Sequence, residues 1–123
     1  METVVFVYGT LKQGGENHAL IHDAEYLGTA RTKAPYALYL GRYPYLIKEE
    51  QRYHVNGEVY RVTPPILSQL DDLEGHPHVY CREQAAVIMA SDCTERQAWI
   101  YFYPQKHGEL LPIGEFDVTI HKN

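Results

Sequence analysis

The chain has 123 residues, a hydrophobic fraction of 45%, a charged fraction of 22% and a formal net charge of −5 at pH 7. This length predicts a single domain over residues 1–123, large enough to bury a core without disulfides. The acidic balance argues against a general nucleic-acid binder and favours a soluble monomer or weak homodimer. No apolar run approaches 18 residues, which excludes a membrane-spanning helix. The first residues lack a basic segment, so we expect no signal peptide and a cytoplasmic location.

Apolar, β-branched and aromatic stretches predict most of the chain as β-strand. The predicted strands are residues 3–7, 25–32, 36–40, 45–48, 55–62, 79–90 and 97–103, with a last strand or partly ordered tail at 115–120. We expect a bulge or bend at Gly28 and a second bulge near Gln84. Strands 3–7 and 97–103 are apolar on both faces and need cover. The fold class is therefore α+β, a small mixed or antiparallel β-barrel with a few short flanking helices.

Two short helices are predicted, and their ends carry clear signals. Asn17 is placed to cap a helix at residues 18–22. Thr63 followed by two prolines opens a second helix, which runs from about residue 65 to 73 or 74 and ends at Gly75. Steps of three and four residues mark its buried face, made of Ile66, Leu67, Leu70 and Leu73.

Glu74 is a carboxylate on the apolar face of this second helix. It follows Leu70 by four residues and Leu67 by seven, so it shares their direction. Burial disfavours the charged form, and the negative end of the helix dipole acts in the same direction. We therefore expect a raised pKa and a group able to exchange protons near neutral pH.

Two other placements of Glu74 remain open, and the two other acidic residues near the end of this helix are expected to be exposed. Glu74 at a solvated rim, or in a structural ion pair with Arg82, is the alternative to a buried proton relay. Asp71 and Asp72 fall near the opposite side of the helix and are expected to be solvated.

The stretch after the first strand, Tyr8-Gly9-Thr10-Leu11, is a candidate binding loop. A glycine lets the backbone approach a ligand at the end of a buried strand. The alternative is a plain strand-to-helix connection. The 11 tyrosines of the chain suggest a cavity with polar rims, although tyrosine is also common in any β-rich protein.

Metal and covalent chemistry are not indicated. His76, His78 and Cys81 do not have the spacing of a closed zinc site, and nothing orients Cys81 as a nucleophile. No phosphate-binding loop, dinucleotide fingerprint or nucleophile elbow occurs. We therefore expect neither a metal nor a cofactor.

Several stretches together resemble the γ-glutamylcyclotransferase-like family, in its γ-glutamylamine cyclotransferase and avirulence-induced-gene-like branch. They are VFVYGTLKQGGENH at the start, YLGTA, YALYLGRYPYLI, VNGEVYRV, LDDLEGHPHVYCR and WIYFY, which together cover about residues 4–103. The pair of YGTL and, some 60 residues later, D-x-LEG-x-P-x-x-Y-x-R is more specific than either half.

This resemblance implies a small β-barrel enzyme that releases 5-oxoproline from a small γ-glutamyl substrate. Tyr8, Gly9, Thr10 and Leu11 match the loop that binds the glutamyl head, and Glu74 matches the essential glutamate. The substrate's own α-amine would attack the γ-carbonyl, so no enzyme nucleophile is required.

The resemblance leaves the leaving group open. Many relatives have Gly where this chain has Tyr45, which predicts a narrower pocket mouth, and the sequence after Gly108 matches no known pattern. Tyr80, Tyr101 and Tyr103 are candidate pocket-lining residues. The alternative function is a non-catalytic module that binds a small carboxylate or γ-glutamyl ligand in the same pocket; an interaction domain with a tyrosine-rich surface is a third.

Overall fold

A computed structural model of the chain describes residues 2–119, which hold eight strands, one α-helix and one 3₁₀ turn. The strands are β1 (Val4–Val7), β2 (Glu25–Thr32), β3 (Ala37–Leu40), β4 (Pro44–Ile47), β5 (Asn56–Arg61), β6 (Cys81–Met89), β7 (Glu95–Phe102) and β8 (Glu109–Leu110). Helix α1 spans Pro64–Glu74, and the 3₁₀ turn spans His18–Leu20. Neither helical element within residues 2–119 is long and apolar enough to cross a membrane.

Five strands close into a barrel in the order β1-β5-β2-β6-β7. The barrel is mixed, because β1 and β7 pair in parallel at Val5 and Trp99 while the other neighbouring strands are antiparallel. Closure leaves no unpaired edge on these strands. Strands β4, β3 and β8 form a separate three-stranded sheet. The predicted α+β barrel is confirmed.

Strand β1 is buried on both faces, as its sequence predicts. Successive side chains of a strand point to opposite sides. Val4 and Phe6 accordingly join one hydrophobic cluster with Val59 and Ile100. Val5 and Val7 join a second cluster, which contains Leu70 of helix α1. Strand β1 therefore contributes side chains to the barrel cluster on one face and to the cluster with helix α1 on the other.

Helix α1 has the predicted ends. The Thr63 hydroxyl accepts a hydrogen bond from the Ile66 N–H at 3.4 Å, and Gly75 adopts the left-handed conformation with φ of 67°. Leu70 is fully buried, but Leu73 is 41% exposed, so its predicted place on the buried face is wrong. The face of α1 that contacts the barrel is narrower than the sequence indicated, and Leu73 lies outside this face.

The two expected irregularities of the barrel have different outcomes. The register of β2 against β5 shifts between Tyr26 and Gly28, which confirms the bulge there. Strand β6 pairs with β7 without a break from Cys81 to Ile88, so the bulge expected near Gln84 is wrong. Gly28 has a φ of 126°, which a residue with a side chain rarely adopts. No comparable backbone conformation is required at Gln84.

The C-terminal segment follows the barrel without joining a sheet. Residues 115–119 form no strand, so the strand alternative for 115–120 is wrong in its described part, and residue 120 lies outside the described residues. Phe116 is nevertheless buried in the first cluster, and its carbonyl accepts a hydrogen bond from Lys12 Nζ at 2.6 Å. The segment is held by side-chain contacts in place of a strand ladder.

Candidate active site

A cavity of about 520 Å³ lies where the loop after β1 meets the C-terminal turn of α1. The sequence-predicted site residues all line it, and they are Tyr8, Gly9, Thr10, Leu11, Tyr45, Glu74, Tyr80, Tyr101 and Tyr103. These residues come from five separate parts of the chain. A concave site of this volume with a few polar groups is typical of small-molecule pockets.

Glu74 is the last residue of α1, and its side chain is half-buried at the cavity. Among residues 2–119, no donor forms a hydrogen bond or ion pair with its carboxyl group. Burial raises the pKa of Glu74 to about 7. Without a compensating partner, the charged and neutral forms are both well populated at neutral pH.

Arg82 does not pair with Glu74, so the alternative of a structural ion pair between them is wrong. Its guanidinium instead holds Asp71 at two points, with Nε 2.8 Å from Oδ1 and an Nη nitrogen 3.1 Å from Oδ2. The Tyr101 hydroxyl donates to the same Oδ1 at 2.7 Å. Asp71 was expected to be solvated, and that expectation is wrong, because its position faces β6 and β7.

The loop at residues 8–11 is tied to the barrel at its first residue. The buried Tyr8 hydroxyl donates to the Tyr101 carbonyl at 2.7 Å. Thr10 is held by Asn17, whose backbone N–H donates to its carbonyl at 3.0 Å and whose side-chain amide donates to its hydroxyl at 2.9 Å. Asn17 thus braces the loop, and the predicted side-chain cap by Asn17 is absent from the 3₁₀ turn.

The backbone N–H groups of Gly9, Thr10 and Leu11 have no hydrogen-bond acceptor among the described residues. Buried amides are normally paired, so three unpaired ones beside a cavity are available to a ligand. Successive amides of this kind form a concave site that favours an anion. Thr10 and Leu11 are the central residues of a turn closed by a 3.1 Å hydrogen bond from the Lys12 N–H to the Gly9 carbonyl, so a plain connection would also leave their two amides unpaired.

Gly9 allows the loop to pass close to β4. A Cβ atom at Gly9 would lie 2.5 Å from Cγ of Pro44, well inside contact distance. Pro44 also lines the cavity, and its carbonyl accepts a hydrogen bond from the Tyr80 hydroxyl at 2.9 Å. The absence of a side chain at Gly9 therefore sets the spacing between two walls of the cavity.

Three aromatic rings form one wall of the cavity. Tyr103 lies 4.5 Å from Tyr45 and 5.0 Å from Tyr80 between ring centroids. Tyr45 is buried. Burial, followed by the nearby charges of Glu74 and Tyr45, raises the pKa of Tyr80, so its hydroxyl stays protonated and remains a donor.

Several lining residues were not predicted from the sequence. They are Phe6, Val7, Glu16, Asn17, Tyr43, Pro44, Asp72, Leu73, Gly75 and Val79. Glu16 and Asp72 are exposed carboxylates at the mouth, and the lining residues between positions 2 and 119 include no Lys, Arg or His. Asp71 and Arg82, behind the cavity, both belong to the D-x-LEG-x-P-x-x-Y-x-R pattern, and that spacing was the available signal for their pairing.

In residues 2–119, no three His, Cys, Asp or Glu side chains come together in an arrangement suited to a metal ion. Of the residues weighed for one, His76 accepts a hydrogen bond on Nδ1 from the Arg82 backbone N–H at 3.1 Å. That bond gives His76 a structural contact at the start of β6.

The chain is similar to known proteins over most of its length. The family model described as γ-glutamyl cyclotransferase, AIG2-like, matches residues 5–118. A protein of Methanocaldococcus jannaschii named "Putative gamma-glutamylcyclotransferase" is 40% identical over 113 residues, covering 91% of this chain and 93% of its own length. The γ-glutamylaminecyclotransferase of Bos taurus is 34% identical over 125 residues, covering 92% of this chain and 74% of its own.

A solved structure shows the same fold. The crystal structure of an AIG2-like protein from mouse superposes with a TM-score of 0.84 at 27% identity, covering 94% of this chain and 88% of that one. The family model covers nearly the whole sequence, and the relatives align over most of their own length. The chain therefore belongs to the AIG2-like γ-glutamyl cyclotransferase family of enzymes.

Proposed function

We propose that this protein cyclises a γ-glutamyl amine or amide, releasing 5-oxoproline and the free amine, with Glu74 as the general acid and base. One observation carries the proposal. The half-buried carboxyl of Glu74 and the three backbone amides of residues 9–11 belong to residues that line the same cavity, and none of these groups has a partner in the part of the chain that the structure describes. A γ-glutamyl head carries an α-ammonium and an α-carboxylate, and these two features complement it.

The reaction needs proton transfer more than it needs a nucleophile. Ionised Glu74 takes a proton from the substrate's α-ammonium, and the freed amine attacks the γ-carbonyl carbon, forming the ring N–C bond. The tetrahedral intermediate then expels the leaving amine as the amide C–N bond breaks. Protonated Glu74 gives its proton to that nitrogen, and ionised Glu74 then takes the extra proton from the ring nitrogen and passes it on in the same way. Two protons thus move from the α-nitrogen to the leaving amine, which departs as an ammonium, and Glu74 ends ionised as it began. Transfer by a positioned group contributes roughly 10²–10⁴-fold.

The cavity contributes to the rate enhancement by holding the reacting groups of the substrate together. Ring closure requires the α-amine and the γ-carbonyl to be held together, and an enclosing pocket favours that folded shape over the extended one. We assign the amides of residues 9–11 to an anionic oxygen of the substrate, either its α-carboxylate or the oxyanion of the intermediate. Tyr45, Tyr80 and Tyr103 confine the hydrocarbon part of the head.

The residues at the mouth of the cavity favour a simple amine over an amino acid as the leaving group. Its exposed carboxylates, Glu16 and Asp72, repel the free α-carboxylate that an amino-acid leaving group carries next to the scissile amide. Exposed Leu73, Val79 and Tyr43 offer apolar contact to an alkyl chain. The name of the bovine relative, a γ-glutamylaminecyclotransferase, agrees with this preference.

The test is direct detection of 5-oxoproline by mass spectrometry from a γ-glutamyl alkylamine. Wild type should form it, and Glu74→Gln should reduce turnover by at least about 10²-fold, because the amide keeps the shape and cannot carry the proton. The matched control is Glu109→Gln, an exposed glutamate outside the cavity. If ligand binding raises Tm but wild type forms no product, the pocket is a binding module and the proposal fails.

A further inference from the structure

We propose that Asp71 is a positioning residue for Glu74, held by Arg82 and Tyr101 so that the last turn of α1 presents Glu74 to the cavity. The inference rests on the proposed function of Glu74 and goes beyond it. Neither Asp71 nor Arg82 lines the cavity. They therefore act through the helix and not on the substrate.

The two donors to Asp71 are a cross-strand pair. Arg82 of β6 lies directly opposite Tyr101 of β7 in the antiparallel register, so their side chains leave the same face of the barrel. Both reach the Asp71 carboxylate, at 2.8 and 3.1 Å from Arg82 and 2.7 Å from Tyr101. A two-point guanidinium contact fixes orientation as well as distance.

The donors themselves are held in place. The Arg82 guanidinium lies 4.3 Å from the centroid of the Trp99 ring, which precedes Tyr101 by two residues on the same face. The Arg82 side chain is thus fixed between Trp99 and Asp71. Burial tends to raise the pKa of Asp71, but hydrogen bonds from Arg82 and Tyr101 outweigh it, and the pKa of Asp71 is lowered. Asp71 stays ionised and keeps both contacts.

Asp71 also anchors the main chain where the helix ends. It lies three residues before Glu74, about one turn away. Its carbonyl accepts a hydrogen bond from the His76 N–H at 3.0 Å, across the turn that contains Glu74. Since the Glu74 carboxyl has no hydrogen-bond partner within residues 2–119, its direction depends on this backbone. Fixing Asp71 on both its side chain and its carbonyl fixes that direction.

Tyr101 connects this anchor to the opposite wall of the cavity. Its hydroxyl donates to Asp71, and its carbonyl accepts from the Tyr8 hydroxyl at 2.7 Å. A single residue of β7 therefore spaces the Glu74 turn from the loop at residues 8–11. A misplacement of about 1 Å between reacting groups can cost roughly 10²-fold in rate.

The experiment uses Tyr101→Phe and Asp71→Asn in the full chain. Tyr101→Phe keeps the ring and the backbone link to Tyr8, and removes the hydroxyl that donates to Asp71 and also interacts with Arg82. Asp71→Asn keeps the size and removes the charge. Tyr26→Phe is the control, because Tyr26 is exposed and outside the cavity. We expect kcat to fall by about 10- to 100-fold with KM changed less than about threefold in both variants, and no change in the control.

A second readout separates positioning from simple loss of stability. The Glu74 carboxyl is titrated by ¹³C NMR, which needs no turnover. In both variants its midpoint should move from about 7 toward the ordinary glutamate value of 4.5, as the side chain turns to solvent. A further variant, Arg82→Lys, keeps the charge but loses the two-point contact and should show a smaller shift.

Two outcomes would overturn the inference. One is an unchanged Glu74 midpoint in folded Tyr101→Phe and Asp71→Asn. The other is a loss of activity that follows thermal stability alone, with kcat unchanged below Tm. If wild type forms no 5-oxoproline, the proposed function fails, but the titration still decides whether Asp71 orients Glu74.

Discussion

The backbone N–H of Tyr80 donates a 3.1 Å hydrogen bond to the carbonyl oxygen of Glu74. The Tyr80 hydroxyl is in turn anchored on the Pro44 carbonyl at 2.9 Å. The main chain of Glu74 is therefore held from the far wall of the cavity, while its carboxyl has no partner among the described residues. A carboxyl placed in this way is sensitive to burial, and its protonation can be followed in activity and in stability.

The pH dependence of turnover should report the Glu74 carboxyl. With a pKa of about 7, the base form that accepts the α-ammonium proton is lost as pH falls below that value. We expect log(kcat/KM), which reports the free enzyme, to rise with unit slope up to about pH 7 and then to level off. Steady-state rates from pH 5 to pH 9 on a γ-glutamyl alkylamine measure it. A rise in rate centred near pH 4.5 would show instead that Glu74 is an ordinary, solvated carboxylate.

Stability should change with pH in the opposite direction to activity. Because the folded state raises the pKa of Glu74 from 4.5 to about 7, it binds the proton more tightly than the unfolded chain. The contribution of Glu74 is thus fully present below about pH 4.5 and is lost as pH rises to about 7. Glu74→Gln avoids this loss. After allowance for partial exposure, it should be more stable than wild type by about 1–3 kcal/mol at pH 8.

Urea denaturation of wild type and Glu74→Gln at pH 4.5 and pH 8 measures this difference. The advantage of the variant should appear at pH 8 and be small at pH 4.5, where the wild-type carboxyl is mostly neutral. Glu109→Gln controls for the general loss of one negative charge. An equal difference at both pH values would mean that packing, and not ionisation, separates the two proteins.

Gly9→Ala should impair substrate binding more than folding. The new Cβ would lie 2.5 Å from Pro44 Cγ, so the loop or β4 must shift. Because the amides of residues 9–11 are assigned to the substrate anion, we expect KM to rise by about 10-fold or more, with Tm lowered by only a few degrees. Kinetics and thermal melts of the same preparation give both values. Unchanged KM would remove this loop from the substrate site.

The charge of the leaving group should affect kcat/KM. We expect γ-glutamyl derivatives of diaminopentane to be used better than those of pentylamine, and those of aminopentanoic acid worst, by about 3- to 10-fold per step. The reason is that the carboxylates of Glu16 and Asp72 make the cavity mouth acidic. Among the described lining side chains, no basic residue offsets them. Asp72→Asn should flatten the series, and Asp23→Asn, exposed and outside the cavity, should not.

A preference for the anionic compound would contradict this reading of the mouth. It would point to Arg42, whose guanidinium lies 5.7 Å from the centroid of the Tyr43 ring, beside the mouth but not among the lining residues. Because these charges are exposed, the preference should also weaken as salt is added.

Part of this protein could be predicted because the signals are local. Thr63 with two prolines and Gly75 specified the ends of α1 through caps and dihedral preferences that depend only on nearby residues. The continuous β-branched and aromatic run of residues 3–7 predicted burial of β1 on both faces. Leu70 and Glu74, four residues apart, were correctly placed on the side of the helix that faces the barrel and cavity.

Other features could not be predicted because they depend on distant partners. Asp71 looked like a solvated acid, since nothing in the sequence shows that Arg82 and Tyr101 face each other across β6 and β7. Leu73 looked like a core residue, because the width of a helix's contact stripe is set by the surface it packs on. Residues 115–120 were interpreted as a last strand or a partly ordered tail. In the described part of this segment, no neighbouring strand is available for pairing.

The sequence by itself determined the mixed barrel's strands, the helix that ends at Glu74, the YGTL loop and the family resemblance. Only the tertiary structure decided that Glu74 has no partner within residues 2–119, that residues 9–11 line the same cavity, and that Asp71 is held behind it. The physical reason is that propensity and periodicity act over a few residues. Desolvation and hydrogen-bond pairing depend instead on which distant segments the closed barrel brings together.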